Sequence, residues 1–134
     1  DTTDTLNDSL ECFAEMIETI TVNKDAIEEA LYQGHLLATD FADYLVTKGV
    51  PFRESHEITG KAVMFAIENE CQIDELTLEE FHQFSKKVEE DVHEALSFSS
   101  SLIAKNIVGG TNPTQVASQI KLAKAWTTQA SKGK

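Results

Sequence analysis

ATDFADYLVTKGVPFRESHEITG, residues 38–60, reads as two helices and the corner that joins them. Thr39 is placed to act as an N-cap, with Asp40 and Asp43 in the following turn near the positive end of the helix dipole. Gly49 closes that helix. Val50 leads into Pro51, whose fixed φ and missing N–H suit the first turn of a second helix running to about Asn69. On it Phe52, His56, Gly60, Val63 and Ile67 share one face, which is expected to be the buried one. Glycine in mid-helix costs about 1 kcal/mol relative to alanine, so Gly60 is expected to admit a neighbouring helix closely. Arg53 has Glu57 one turn on, the spacing of an ion pair.

Upstream, Leu6, Leu10, Phe13, Ile17 and Ile20 recur at spacings of four and three, the stripe of an amphipathic helix over about Thr3 to Thr21. Asn23 can cap a short acidic helix from Lys24 to Gln33, ended by a left-handed Gly34. Downstream, Thr77-Leu78-Glu79-Glu80 is a capping box opening a helix with Phe81, Phe84 and Val88. Val92, Ala95 and Leu96 suggest a further short helix or a continuation of that one, before the serines Ser97 to Ser101 interrupt the pattern. After the Gly109-Gly110 turn, Asn112 can cap and Pro113 can start a last helix, with Gln115 completing a box and Val116, Ile120, Ala123 and Trp126 or Thr127 on one face. No run alternates with period two, so the fold is expected to be all-α with six or seven short helices.

The 134 residues, 41% of them hydrophobic, suffice for one core. The longest apolar runs, such as Ala62 to Ile67, are too short to span a bilayer. Cys12 and Cys71 stand alone, without the spacing of a disulfide framework or zinc site, which fits a reducing, cytoplasmic setting. The opening Asp-Thr-Thr-Asp, without an initiator methionine and running at once into a periodic helix, is what an internal start would give.

A net charge of −12 argues against nucleic acid, whose phosphates call for clustered Lys and Arg. The charge is unevenly spread. Residues 1–94 hold all 23 acids and six bases, and residues 95–134 hold five lysines and no acid. The C-terminal stretch is thus a basic piece on an acidic body, expected to dock on acidic helices or face water.

Chemistry-bearing constellations are sparse. His35, His56, His82 and His93 are never three or four residues apart, so no metal set forms. His56-Glu57 begins like HExxH but continues Ile58-Thr59-Gly60, without the second histidine. On its helical face His56 is expected to be a hydrogen-bonded structural histidine. Glu28-Glu29, Glu79-Glu80 and Glu89-Glu90-Asp91 place adjacent carboxylates about 100° apart, which suits solvated faces better than a catalytic pair. The Gly109-Gly110 loop lacks the P-loop order and is expected to be a turn and cap.

Thr39 to Val46, Lys48 to Glu54, His56 and Gly60 together resemble the C-terminal region of argininosuccinate lyase, a member of the fumarase/aspartase superfamily. Asp4-Thr5-Leu6, Thr21-Val22-Asn23, Leu76 to Glu80 and Gly109-Gly110 with Pro113, Val116 and Gln119 extend the resemblance over almost the whole chain. It implies a homotetrameric, cofactor-free enzyme of arginine biosynthesis that splits argininosuccinate into arginine and fumarate by β-elimination. In that family the base lies on a loop Gly-Ser-Ser-x-Met-Pro-x-Lys-x-Asn-Pro. Here the two methionines, Met16 and Met64, precede Ile17 and Phe65, and Ser99-Ser100-Ser101 continues into Leu102. The resemblance therefore transfers no catalytic, substrate-binding or metal-binding residue to this chain. It implies instead that residues 1–22 end a central-bundle helix, with its Leu6-to-Ile20 stripe an interface between subunits. Residues 23–134 would form the C-terminal helical domain, and Thr39, Asp40, Gly49, Pro51, Phe52, Arg53, His56, Gly60, Gly109 and Gly110 its structural motif. The alternative is an independent helical interaction module without catalysis.

Overall fold

Helix starts and stops follow local chemistry that is visible residue by residue. The computed structural model describes residues 1–132, and among them eight α-helices and no strand. Thr2–Thr19 is α1, Lys24–Leu31 α2, Ala38–Thr47 α3 and Phe52–Glu68 α4; a 3₁₀ turn spans Ile73–Glu75; Leu78–Phe84 is α5, Val92–Ala95 α6, Phe98–Ala104 α7 and Pro113–Lys132 α8. The chain divides into two compact units, Asp1–Gln33 and Gly34–Lys134.

In the first unit, Asn23 caps α2 as expected, accepting the Ala26 N–H at 3.1 Å. Gly34 takes a φ of +83°, but α2 already ends at Leu31 with Tyr32 as its cap. The glycine therefore lies beyond the capping position proper. On α1 the apolar stripe is open: Leu6, Leu10, Phe13, Ile17 and Ile20 are all between 58% and 67% exposed.

The second unit is built on the corner between α3 and α4. Gly49, at φ +81°, sends its N–H to Val46 O and lets Val50 N–H reach Leu45 O, both at 3.0 Å. This is a Schellman motif with its apolar contact, since Val50 and Leu45 are both buried. Pro51 is the N-cap of α4 and not its first residue, a one-residue shift within the ordinary uncertainty of helix ends. Thr39 does not cap α3. The helix begins at Ala38 with Leu37 before it, because burial of Leu37 lets the His35 and Leu37 carbonyls take the Ala38 and Phe41 N–H groups.

α4 meets the core through Ser55, Ile58, Thr59, Ala62 and Ala66. Of the expected face only Val63, half-buried, packs against the core; Phe52 and Ile67 are 65% and 53% exposed, and His56 and Gly60 are exposed. The reason is steric. Small side chains on the inner face let α3 press Phe41 and Leu45 close to the α4 backbone, which larger side chains would hold off. Among the described residues a Cβ at Gly60 would meet nothing within 4 Å, so the glycine admits no close neighbour there. Phe41 packs on Phe81 with ring centroids 4.8 Å apart and the rings tilted by 38°, and Ile73, Leu76, Val88, Val92 and Leu96 join them in the core.

Thr77 and Glu80 form the expected capping box, with Glu80 Oε2 taking the Thr77 N–H at 2.7 Å. Val88 is buried but lies outside α5, which stops when Ser85 becomes extended and its hydroxyl takes the Lys87 N–H. The serine run does not break the helical pattern. Ser97 caps α7 by accepting the Ser100 N–H, so the helix missing from the expectation lies within it. Asn112 accepts from Thr114 N–H before α8, but Gln115 bonds Asn106 Oδ1 and closes no box. Val116, Ile120 and Trp126 on α8 are 43%, 50% and 71% exposed.

Two strained or unsatisfied points predict gains in stability. Glu70 repeats at the end of α4 the role of Gly49, with a φ of +55° and the Cys71 N–H on Ala66 O. A left-handed non-glycine residue costs about 1–2 kcal/mol, so Glu70→Gly is expected to stabilise by about 1 kcal/mol while Gly49→Ala destabilises by a similar amount; denaturant midpoints moving the opposite way would refute this. Thr59 Oγ1 is buried without a partner among the described residues, and Thr59→Val, which keeps the branch and removes the hydroxyl, is expected to add about 1 kcal/mol in the same assay.

Candidate functional site

The polar groups of the second unit gather at two junctions. At the first, the end of α3 meets the chain before α6. Lys48 Nζ lies 2.7 Å from Glu89 Oε2 and 2.8 Å from Asp91 Oδ2, and 5.2 Å from the centroid of the Tyr44 ring. The Tyr44 hydroxyl donates to Asp91 Oδ1 at 2.6 Å and accepts the Glu89 N–H at 3.0 Å. The acids read as a solvated face are exposed, yet two of them clamp a lysine.

At the second junction α3 meets α7 and the residue after it. Ser101 Oγ donates to Asp40 Oδ2 at 2.9 Å, and Lys105 Nζ lies 3.4 Å from Asp40 Oδ1 and 3.2 Å from Asp43 Oδ2. Lys105, the first lysine of the basic stretch, thus docks on acids of the body. A small cleft beside this cluster is lined by Tyr44, Thr47, Ala95 and Ala104.

The electrostatics of both junctions fix charge instead of preparing it for transfer. The hydrogen bond from Lys48, then that from Tyr44, holds the Asp91 carboxyl below the usual carboxylate range. Hydrogen bonds to Asp91 and Glu89 raise Lys48, and burial followed by the Asp91 hydrogen bond raises the Tyr44 phenol. Lys105 is raised chiefly by its bond to Asp43. A general base or acid needs a pKa moved toward neutrality, and these move away from it. Ser101 beside Asp40 is no activated nucleophile either, because Lys105 occupies the other carboxylate oxygen.

Asp40, Gly49 and Pro51 serve the junction and the corner, and Thr39 is exposed. Arg53 forms no ion pair with Glu57 among the described residues. His56 is exposed, its ring centroid 4.5 Å from that of Phe52 in an edge-on arrangement, and is not the buried, hydrogen-bonded histidine expected. His82 Nε2 lies 2.8 Å from Val88 O. Among the described residues no three His, Cys, Asp or Glu side chains are grouped to hold a metal, and no helix is long and apolar enough to cross a membrane. Gly109 and Gly110 form a turn as expected: Gly109 has φ +83°, and a Cβ on Gly110 would collide with the Lys105 carbonyl.

Residues 35–103, from the turn before α3 to the end of α7, match the family model described as argininosuccinate lyase C-terminal. The chain belongs to the argininosuccinate lyase family. The matched stretch contains the whole core from Leu37 to Leu96 and the Lys48 clamp. Argininosuccinate lyase of Ruthia magnifica subsp. Calyptogena magnifica is 47% identical over 124 residues, 92% of this chain and 26% of the relative. That of Variovorax paradoxus is 50% identical over 120 residues, and that of Nitrosospira multiformis 46% over 126, again covering 26% of each relative. The chain therefore spans about a quarter of the length of these argininosuccinate lyases.

Tyr44, Lys48 and Asp91 were not legible as a unit, since 43 residues separate the lysine from its acid. The available signal was a lone lysine at the end of α3 in a strongly acidic body.

The pH response follows from the signs. Asp91 is depressed, so its contribution is present above about pH 4 and lost as pH falls through its lowered value. Tyr44 and Lys48 are raised, so their contributions are present below about pH 10 and lost above it. Thermal melts are expected to show a plateau between about pH 5 and 9. Asp91→Asn should lower that plateau and make the acid limb shallower; an unchanged limb would mean the clamp contributes nothing.

Proposed function

We propose that this chain is the C-terminal part of a cytoplasmic, homotetrameric enzyme of arginine biosynthesis that cleaves argininosuccinate to arginine and fumarate by β-elimination, and that the chain alone is inactive. The observation that carries the reading is the 47% identity over 92% of the chain to a protein named argininosuccinate lyase. Residues 1–22 are read as the end of a central-bundle helix and residues 23–134 as the domain that follows it. The open stripe of α1, from Leu6 to Ile20, supports that role, because an apolar face more than half exposed calls for a partner.

The inactivity rests on chemistry. β-Elimination needs a base at the carbon next to a carboxylate and a fixed electrostatic cradle for the carbanion. The Met-Pro loop that supplies the base in the family is absent from these 134 residues. Asp40, Asp91, Lys48 and Lys105 are committed to each other. The domain would then pack beside, and help close, a site built by other segments. The second reading, a non-catalytic interaction module, draws on the same α1 stripe.

Argininosuccinate mixed with the purified chain should give no rise in fumarate absorbance, while an intact relative in a parallel cuvette should give a steady one. Turnover by the chain would refute its proposed inactivity.

A further inference from the structure

Every residue from 1 to 30 is exposed, and α1 buries no side chain among the described residues. Most helical stability in proteins comes from such burial, since a short helix in water gains little from its backbone alone. Local chemistry does not make up the difference. The eighteen residues of α1 hold one alanine, Ala14, against four threonines, Asn7, Ser9, Asp4 and Asp8. Asp4 and Asp8 repel one turn apart, as do Glu11 and Glu15. Glu18 stands at the negative end of the helix dipole, and the last turn holds no base.

The stripe has the register of a coiled-coil seam. Leu6, Leu10, Phe13 and Ile17, with Ile20 just past the helix end, alternate at spacings of four and three, the a and d positions of a heptad. Every acid falls on the other side: Asp4, Glu11 and Glu18 take position b, and Asp8 and Glu15 take position f. At about 100° per residue each lies about 120° or more from the middle of the stripe. The e and g positions that flank the seam carry Asn7, Ser9, Ala14 and Met16, none of them acidic or basic. This order selects the occupant. A partner of opposite charge is chosen through e and g, where α1 offers it nothing. A second α1 brings a matching apolar seam and keeps its own acids outside, so like charge does not oppose the pairing.

We propose that α1 folds on association: in the free chain residues 2–19 are largely unfolded, and they become helical when their stripe meets the same stripe of a second copy. The proposal rests on the reading of α1 as an interface between subunits and adds that helix formation and assembly are one event. The second unit keeps its own core throughout. Because each copy must order its α1 in order to pair, whatever makes that helix easier to form tightens assembly, even at a position that touches no partner.

The test combines circular dichroism and sedimentation velocity on the full chain, over one concentration series in reducing buffer at physiological ionic strength. Helix content is expected to rise with the oligomer, by about eighteen residues per chain. Phe13→Glu, which sets a charge in the seam, should leave a monomer that lacks this helical signal and keeps the cooperative melt of the second unit. Cys12 separates folding from docking, because it is exposed at position c, away from the seam. Glycine there disfavours a helix about fivefold relative to alanine, so in a dimer the dissociation constant of Cys12→Gly should exceed that of Cys12→Ala about thirtyfold. A helix already formed in the free chain would give both variants the same constant. Association with an unchanged helical signal, or equal constants for the two Cys12 variants, would overturn the coupling and leave the interface reading standing. A chain monomeric at every concentration, or one whose association survives Phe13→Glu, would overturn both.

Discussion

The second unit depends on how near α4 can come to α3. Ser55, Thr59, Ala62 and Ala66 give α4 a low inner surface, and Phe41 and Leu45 occupy the space that it leaves. Large residues on one helix opposite small ones on the other is an efficient way to fill a two-helix contact without voids. The corner at Gly49, Val50 and Pro51 fixes the relative direction of the two helices, since the Schellman turn and the proline each leave few backbone choices. Everything else in the unit is laid onto that pair: α5 through Phe81, and the loop and α6 through Val88 and Val92.

The polar junctions belong to the same construction. Each ties one end of α3 to a later segment with a lysine between two carboxylates, Lys48 near its C-terminus and Lys105 near its N-terminus. Such groups are positioned as a catalytic cluster would be, in a cleft between elements. Their protonation states separate the two cases. A cluster built to transfer protons has members close to neutrality, whereas here the carboxylate is driven further acidic and the amines further basic.

Much of this was open to reading from residues alone, for reasons that can be named. Caps and turns are short-range, so Asn23, Gly49, Thr77 and Asn112 declare themselves within three or four positions. Faces are less secure. On α4 apolar residues occupy both arcs, and size, rather than polarity, decides which arc turns inward; the larger side chains lost because α3 already supplies the bulk. Serine was read as a breaker from its composition, although Ser97 as a cap starts a helix. The pairs Tyr44–Asp91 and Asp40–Ser101 span 47 and 61 positions, and no local pattern can announce them.

Gly109 and Gly110 look interchangeable on the page and are held by different constraints. Gly109 is fixed by torsion: its φ is positive, with open space around the absent Cβ. Asparagine or aspartate, which visit that region at modest cost, are tolerable replacements there. Gly110 is fixed by volume, because any side chain at all would begin inside the Lys105 carbonyl. Drift among relatives should therefore be graded at the first glycine and all-or-none at the second. Two identical neighbouring letters thus record two unrelated tolerances, one conformational and one spatial.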